Sequence, residues 1–133
     1  MDIGENTQQI GTQEIPYYEQ EHTRKKRLSK GTLQLFQKLY AEVEILRKLE
    51  TKYPLLQDTL YWDSTCYHLI RVGEILKNLA PEKRELLVID DRRIMNCRDM
   101  LAHTYQNVDE YEVRLVMCMC TKDMYDKLKE IVC

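Results

Sequence analysis

Apolar residues recur at intervals of three and four along most of the chain after residue 30, which is the spacing of one helix face. The first series, from Thr32 onward, consists of Phe36, Leu39, Val43, Leu46, Leu49 and Tyr53. The dipeptide Tyr53-Pro54 ends this series, because the residue before a proline avoids the helical conformation. The pattern therefore predicts a first core helix that ends near residue 53.

A second helix is predicted after this break, with apolar residues on two of its faces. One stripe consists of Trp62, Cys66, Leu69, Gly73, Leu76 and Leu79, and Tyr67 and Ile70 begin another. Two apolar faces let one helix bury neighbours on both sides. We therefore expect this helix at the centre of a bundle.

Two helices are predicted between residues 80 and 103. Pro81 suits the first turn of a short helix, where its missing N–H costs no hydrogen bond. A third main helix is expected to begin at Asp90 or Asp91, because acidic residues stabilise a helix N-terminus. Its apolar stripe consists of Ile94, Cys97 and Leu101.

A long last helix is predicted to reach the C-terminus. Asn107 is its expected N-cap, with Glu110 three residues later as in a capping box. Its apolar positions are Val113, Met117, Cys120, Met124, Leu128 and Ile131. No alternating strand pattern competes with these helices, so the sequence predicts an all-α fold, an up-and-down bundle of four to five helices.

The first 30 residues differ from the rest in being polar and lacking apolar periodicity. We interpret residues 1–30 as a polar N-terminal tail or a loosely docked extra segment, and residues 31–133 as the helical domain. The tail ends in the basic run "RKKRLSK" from Arg24 to Lys30. This run is either a solvated stretch or an arm that contacts RNA.

The overall charge excludes a protein built as a polycation for coating nucleic acid. Lys and Arg number 20 against 22 Asp and Glu, which gives a net charge of −2. Contact with nucleic acid would therefore need a local patch. The N-terminus has no export signal, and no long apolar run occurs, so we expect a cytoplasmic protein without a membrane segment. The five cysteines are an odd number, which favours reduced thiols over a disulfide framework.

The stretch "RDMLAHTY", residues 98–105, gathers polar groups near the end of the third main helix. Arg98 and His103 are separated by roughly 140° around the helix axis, whereas Tyr105 returns to within about 20° of Arg98. Arg98 adjoins the apolar stripe and should lie at the edge of a groove. Two interpretations follow: solvated side chains that stabilise a helix end, or a pair that binds a phosphate and moves a proton.

The same stretch resembles the signature of the HEPN superfamily, and more specifically that of HepT-type toxins: Arg, four residues, His, any residue, Tyr. The segments "RVGEILKNL" (71–79) and "HTYQNVDEYEV" (103–113) are similar to the flanking segments of that family. The resemblance covers about residues 33–132 and implies a HEPN-like bundle. The polar tail departs from the family pattern, as do Gln106 and Asn107, where relatives often have aromatic and glycine residues.

The resemblance implies a metal-independent endoribonuclease toxin of a type VII-like toxin–antitoxin pair, which acts on RNA as a homodimer. Arg98 would clamp the phosphate and His103 would be the acid and base, with Asp99 and, more weakly, Glu74 as supporting residues. Tyr105 would be the residue that an ATP-using nucleotidyltransferase antitoxin adenylylates. No metal and no other cofactor is expected.

A second hypothesis keeps the fold and the partner without the nuclease activity. In it, the protein is a non-catalytic helical dimer that acts as the docking or substrate-recognition subunit of a nucleotidyltransferase. A third hypothesis is a purely structural interaction module.

Two other sequence features were considered as sites. Cys118 and Cys120 lie about 200° apart on a helix and cannot bind one metal ion together. His68 and Arg71, three residues apart on the second helix, form either part of an interface or, as is more common, a solvated pair.

Overall fold

The structure of this protein is a computed structural model that describes residues 28–52, 59–103 and 108–133. Within these ranges every regular element is helical, and no strand is present. The elements are α1 (Lys30–Lys52), α2 (Thr59–Asn78), α3 (Pro81–Arg84), a 3₁₀ turn (Glu85–Leu87), α4 (Asp91–His103), α5 (Glu110–Cys118), a π-helical segment (Met119–Met124) and α6 (Tyr125–Val132). The predicted all-α helical bundle is therefore confirmed.

The core is built largely from the predicted apolar series. The fully buried side chains include Phe36, Leu39, Val43 and Leu46 of α1, Leu69, Val72 and Leu76 of α2, Ile94 and Leu101 of α4, and Met124 and Leu128 near the C-terminus. Each such leucine, isoleucine or phenylalanine contributes about 1.5–3 kcal/mol through removal of apolar surface from water. No described helix is long and apolar enough to cross a membrane.

Helix α2 packs against α4 and is bonded to α1 through Glu42, but its buried surface differs from the prediction. Tyr67 is 55% exposed, so the expected second stripe starting there is wrong. The buried face instead widens on the other side to include Thr65, Val72 and Ile75. Helix α2 therefore buries one broad face, where two separate apolar stripes were predicted.

The last three elements follow one another without a break and run antiparallel to α1. The Cys118 thiol donates a hydrogen bond to Glu50 at 3.7 Å, and the rings of Tyr40 and Tyr125 stack at 5.6 Å. The earlier residue of α1, Tyr40, thus contacts the later residue of the last helix, Tyr125, and Glu50 contacts the earlier residue Cys118. This is the up-and-down packing of a helical bundle.

The start of α5 corrects one sequence prediction. The helix begins at Glu110, and its N-cap is Asp109, whose side chain accepts a hydrogen bond from the Tyr111 N–H at 2.9 Å. Asn107, the predicted N-cap, lies two residues too early. Both residue types cap helices well, and their spacing from the apolar series did not distinguish between them.

Candidate functional site

Arg98 lies at a close approach between α4 and α2. Gly73 of α2 faces the root of the Arg98 side chain, and a Cβ on Gly73 would overlap the Arg98 Cβ and lie 2.6 Å from its Cγ. Only glycine leaves room for this contact. Gly73, in the C-terminal half of α2, thus determines where the arginine lies.

The Arg98 guanidinium is held by two carboxylates. Its Nη1 donates to Asp99 Oδ1 at 3.0 Å, and its Nη2 donates to Glu74 Oε2 at 3.3 Å. These bonds, that of Asp99 above all, raise the pKa of Arg98 above its usual value. The side chain is only 22% exposed, and its buried Nε has no hydrogen-bond partner among the described residues. The result is an oriented cation at the edge of the core.

Lys77 joins this group and was not identified from the sequence. Its Nζ donates to Asp99 Oδ1 at 2.6 Å, and this bond, followed by that of Arg98, lowers the pKa of Asp99. We call Glu74, Lys77, Arg98 and Asp99 the Arg98 cluster. Lys77 lies three residues after Glu74, on the same side of α2, and this spacing could have revealed it.

His103 is the last residue of α4, and its side chain is exposed. It lies five residues, or about 7.5 Å along the helix axis, beyond Arg98. A histidine at this end of a helix interacts favourably with the helix dipole when it is protonated. Tyr105 falls outside the described residues. The structure therefore brings Arg98, Asp99 and Glu74 together and places His103 at the adjoining helix end.

A second polar cluster connects α1 to α2. The carboxylate of Glu42 pairs with His68 Nδ1 at 2.7 Å through one oxygen and accepts from Arg71 Nε at 2.8 Å through the other. His68 is 17% exposed and lies against α1, as the interface alternative expects, whereas Arg71 is 42% exposed and remains partly solvated. The position of Glu42 on the apolar face of α1, between Leu39 and Leu46, could have indicated a buried carboxylate but not its partners.

The cysteines of the "CMC" sequence face different surroundings. Cys118 contacts Glu50 at the α1 interface, whereas Cys120 is completely buried in the core. Throughout the described residues, no group of three or more His, Cys, Asp and Glu side chains could hold a metal ion.

Comparison of the chain with known protein families, with curated proteins and with solved structures finds no match. The likeness to the HEPN superfamily consequently depends on the motif, its flanks and the helix order. What the chain can do must be inferred from its own site.

Proposed function

We propose that the protein is a metal-independent endoribonuclease toxin whose active site combines Arg98 and His103 from two identical chains. The observation that carries this proposal is the placement of Arg98, which is oriented by two carboxylates beside Gly73. The helix that holds it ends at His103. A fixed guanidinium on a helix that ends in a histidine suits chemistry on a phosphodiester.

Cleavage of RNA through its own 2′-OH needs a base, an acid and a cation. The 2′-OH of the RNA attacks the adjacent phosphorus and loses its proton to a base, and the 5′-oxygen leaves with a proton from an acid. A cation stabilises the charge of the intermediate phosphorane. The motif supplies one histidine per chain, so a symmetric pair of chains supplies both the base and the acid.

Arg98 suits the phosphate because its planar fork can donate to two oxygens at once. Asp99 and Glu74 orient that fork before the substrate arrives. The bond to Glu74 is the longer of the two, and Glu74 is exposed, so it is the partner that a phosphate oxygen would displace. Asp99, with its lowered pKa, stays ionised and keeps hold of the arginine.

Adenylylation of Tyr105 by a nucleotidyltransferase antitoxin would switch this site off. The transferred AMP adds bulk and a negative phosphate close to the motif, which repels the RNA backbone and competes for Arg98. Incubation with the antitoxin and ATP should add the mass of AMP to the peptide that contains Tyr105. A Tyr105→Phe variant should gain no mass and should escape neutralisation.

The nuclease activity is tested by RNA cleavage in the presence of EDTA. Wild-type protein should cleave and leave 2′,3′-cyclic phosphate ends, and Arg98→Ala and His103→Ala should each lose at least about 100-fold in rate. Arg92→Ala, which removes an exposed arginine from the same helix, is the matched control and should retain activity. Wild-type rates in both motif variants, with folding verified by circular dichroism, would remove the motif from catalysis.

One observation favours a second candidate, the non-catalytic docking subunit of a nucleotidyltransferase. Both terminal nitrogens of Arg98 already have carboxylate acceptors in the described structure, which competes with phosphate binding. This candidate predicts no cleavage by the wild type across a broad RNA panel. It still predicts modification of Tyr105 by the partner.

A further inference from the structure

One face of helix α2 presents large apolar side chains to solvent. Leu60 is 80% exposed and Tyr67 is 55% exposed. They are seven residues apart, which places them within about 20° of each other around the helix axis. Glu74, another seven residues on, continues the same line and accepts a hydrogen bond from Arg98. This exposed face of α2 therefore leads directly to the Arg98 cluster.

Tyr67 is exposed but held in place. Its ring meets the ring of His68 edge-on, with 5.0 Å between the centroids. The nearly buried carboxylate of Glu42 holds His68 through one oxygen and the Nε of Arg71 through the other. Tyrosine and arginine are the residue types that contribute most to protein–protein interfaces, and side chains that are ordered in advance lose less entropy on association. Tyr67 and Arg71 are therefore prepared for a protein partner.

The charges on this face suit a second copy of the same face. Asp63 and Arg71, both on α2, lie four residues before and four residues after Tyr67. When two identical helices pair antiparallel about a two-fold axis, residues equally far before and after the axis lie opposite each other. An axis at Tyr67 therefore places Asp63 of each chain opposite the partner's Arg71. Opposite charges across an interface fix its register.

Helices α2 and α4 run antiparallel. Arg84 Nη1 donates to the Leu76 carbonyl near the end of α2 at 3.0 Å, and Arg84 Nε donates to Asp91, the first residue of α4, at 2.7 Å. Gly73, earlier on α2, faces Arg98, which is later on α4. Moving forward along α4 therefore means moving back along α2.

This arrangement sets the height of His103 in the bundle. His103 lies five residues after Arg98, and each helix rises about 1.5 Å per residue. Its height along α2 is therefore about five residues before Gly73, close to Tyr67. A two-fold axis at Tyr67 would bring the His103 residues of both chains to nearly the same height.

We propose that the exposed face of α2 is the interface of the homodimer, with the two-fold axis at Tyr67. The inference rests on the proposed function for the identity of the partner, because the nuclease site needs a second histidine from an identical chain. The two Tyr67 rings pack on each other at the axis, and Leu60 lies against α2 of the partner. Each chain thereby adds its His103 to the site of the other.

Light scattering on the full-length protein tests which face forms the dimer. Tyr67→Glu places two carboxylates against each other at the axis and should raise the dissociation constant of the dimer at least about tenfold. Tyr111→Glu, which introduces the same charge at an exposed tyrosine of α5, is the matched control and should dimerise like the wild type. Circular dichroism verifies that both variants are folded.

A cysteine at the axis tests the register. Tyr67→Cys is made together with Cys133→Ser, which removes the exposed native thiol. A disulfide needs Cα atoms within about 7 Å, which two identical residues at a two-fold axis can satisfy. Mild oxidation should therefore give a covalent dimer on a non-reducing gel. Tyr111→Cys with Cys133→Ser is the control and should run as a single chain.

Both readouts are independent of RNA cleavage. A dimer that cross-links through Tyr67→Cys and cleaves no RNA would support the interface and refute the nuclease. Cleavage by a dimer that tolerates Tyr67→Glu and does not cross-link through Tyr67→Cys would support the nuclease and overturn the interface. A wild type that stays monomeric at all concentrations would also overturn it.

Discussion

Gly73 determines how closely α2 and α4 approach each other beside Arg98. In Gly73→Ala the new Cβ would overlap the arginine side chain, so the two helices must separate. Overpacking of this kind costs about 1–3 kcal/mol in the free energy of unfolding. Urea denaturation would measure this loss.

Gly31→Ala is the matched control, because a Cβ at Gly31 meets no atom within 4 Å. Alanine is the better helix former, so this variant should be stabilised by up to about 1 kcal/mol. Equal effects of the two substitutions would contradict the role given to Gly73.

Val88 adopts a left-handed backbone conformation, with φ of 52° and ψ of 50°, so its replacement by glycine should stabilise the folded protein. Glycine adopts a positive φ without the steric penalty of a β-branched side chain, although it loses more backbone entropy on folding. We expect Val88→Gly to raise the free energy of unfolding by roughly 0.5–1 kcal/mol, as measured from denaturant midpoints. Val88→Ala retains the Cβ and should gain less, and a decrease in stability for the glycine variant would show that Val88 is not strained.

The sequence predicted the environment of a site residue where the spacing of apolar residues within its own helix determines that environment. The position of Arg98 at the edge of the core follows from its place beside Ile94 and Leu101. Pairs between distant segments have no such local signal, which is why Glu42 was not linked with His68, 26 residues away.

At the scale of helices, the pair Arg93–Glu112 joins α4 to α5. Arg93 donates from Nε and Nη2 to the two carboxylate oxygens, both at 2.8 Å, and this lowers the pKa of Glu112 below its usual 4.5. A depressed pKa in the folded state stabilises the protein above the unfolded pKa. This stability is lost as pH falls through the folded pKa.

Glu112→Gln should therefore be destabilised by about 0.5–1 kcal/mol at pH 7, since the pair is partly exposed. The difference from the wild type should shrink as the pH falls below 4.5, where the unfolded-state carboxyl takes up a proton, and should vanish below the lowered pKa of the folded-state carboxyl. Glu110→Gln, which removes an exposed pair with Arg114 inside α5, is the control and should change stability less. A difference that is independent of pH would contradict this account of the pair.

The predicted helices agree with the structure where a long amphipathic pattern determines them. They differ at details that leave the amphipathic pattern unchanged. Cys120, Met124 and Leu128 are buried as predicted, yet the π-helical segment runs through the first two. The apolar stripe stays buried through the wider π-helical turn, so the apolar periodicity of the sequence could not predict that turn. The helix cap was missed for a related reason, since both Asn107 and Asp109 suit the role.

At the scale of the whole molecule, the bundle was predictable because each main helix has an apolar face that only another helix can cover. The proposed catalytic arrangement has no comparable signal in the sequence. Arg98 and His103 lie on one helix of one chain, and the motif of a single chain supplies only one histidine. The proposed reaction therefore needs a second copy of the chain to supply the other histidine.

A homodimer is accordingly expected in solution. Light scattering should give about twice the chain mass of 16.0 kDa at micromolar concentration. Arg98→Ala should give the same mass, because the substitution removes only the proposed phosphate clamp and leaves the core intact. A monomer at every concentration tested would leave the proposed reaction without its second histidine.

The central claim, a ribonuclease site shared by two chains, is tested most directly by RNA cleavage with mixed dimers. One protomer is wild type, and the other, carrying a different affinity tag, has both Arg98→Ala and His103→Ala. Loss of either the acid or the base typically reduces such rates by 10²–10⁴-fold, so the mixed dimer should cleave at less than about a tenth of the wild-type rate. Half of the wild-type rate, or no cleavage by the wild-type dimer itself, would contradict the claim.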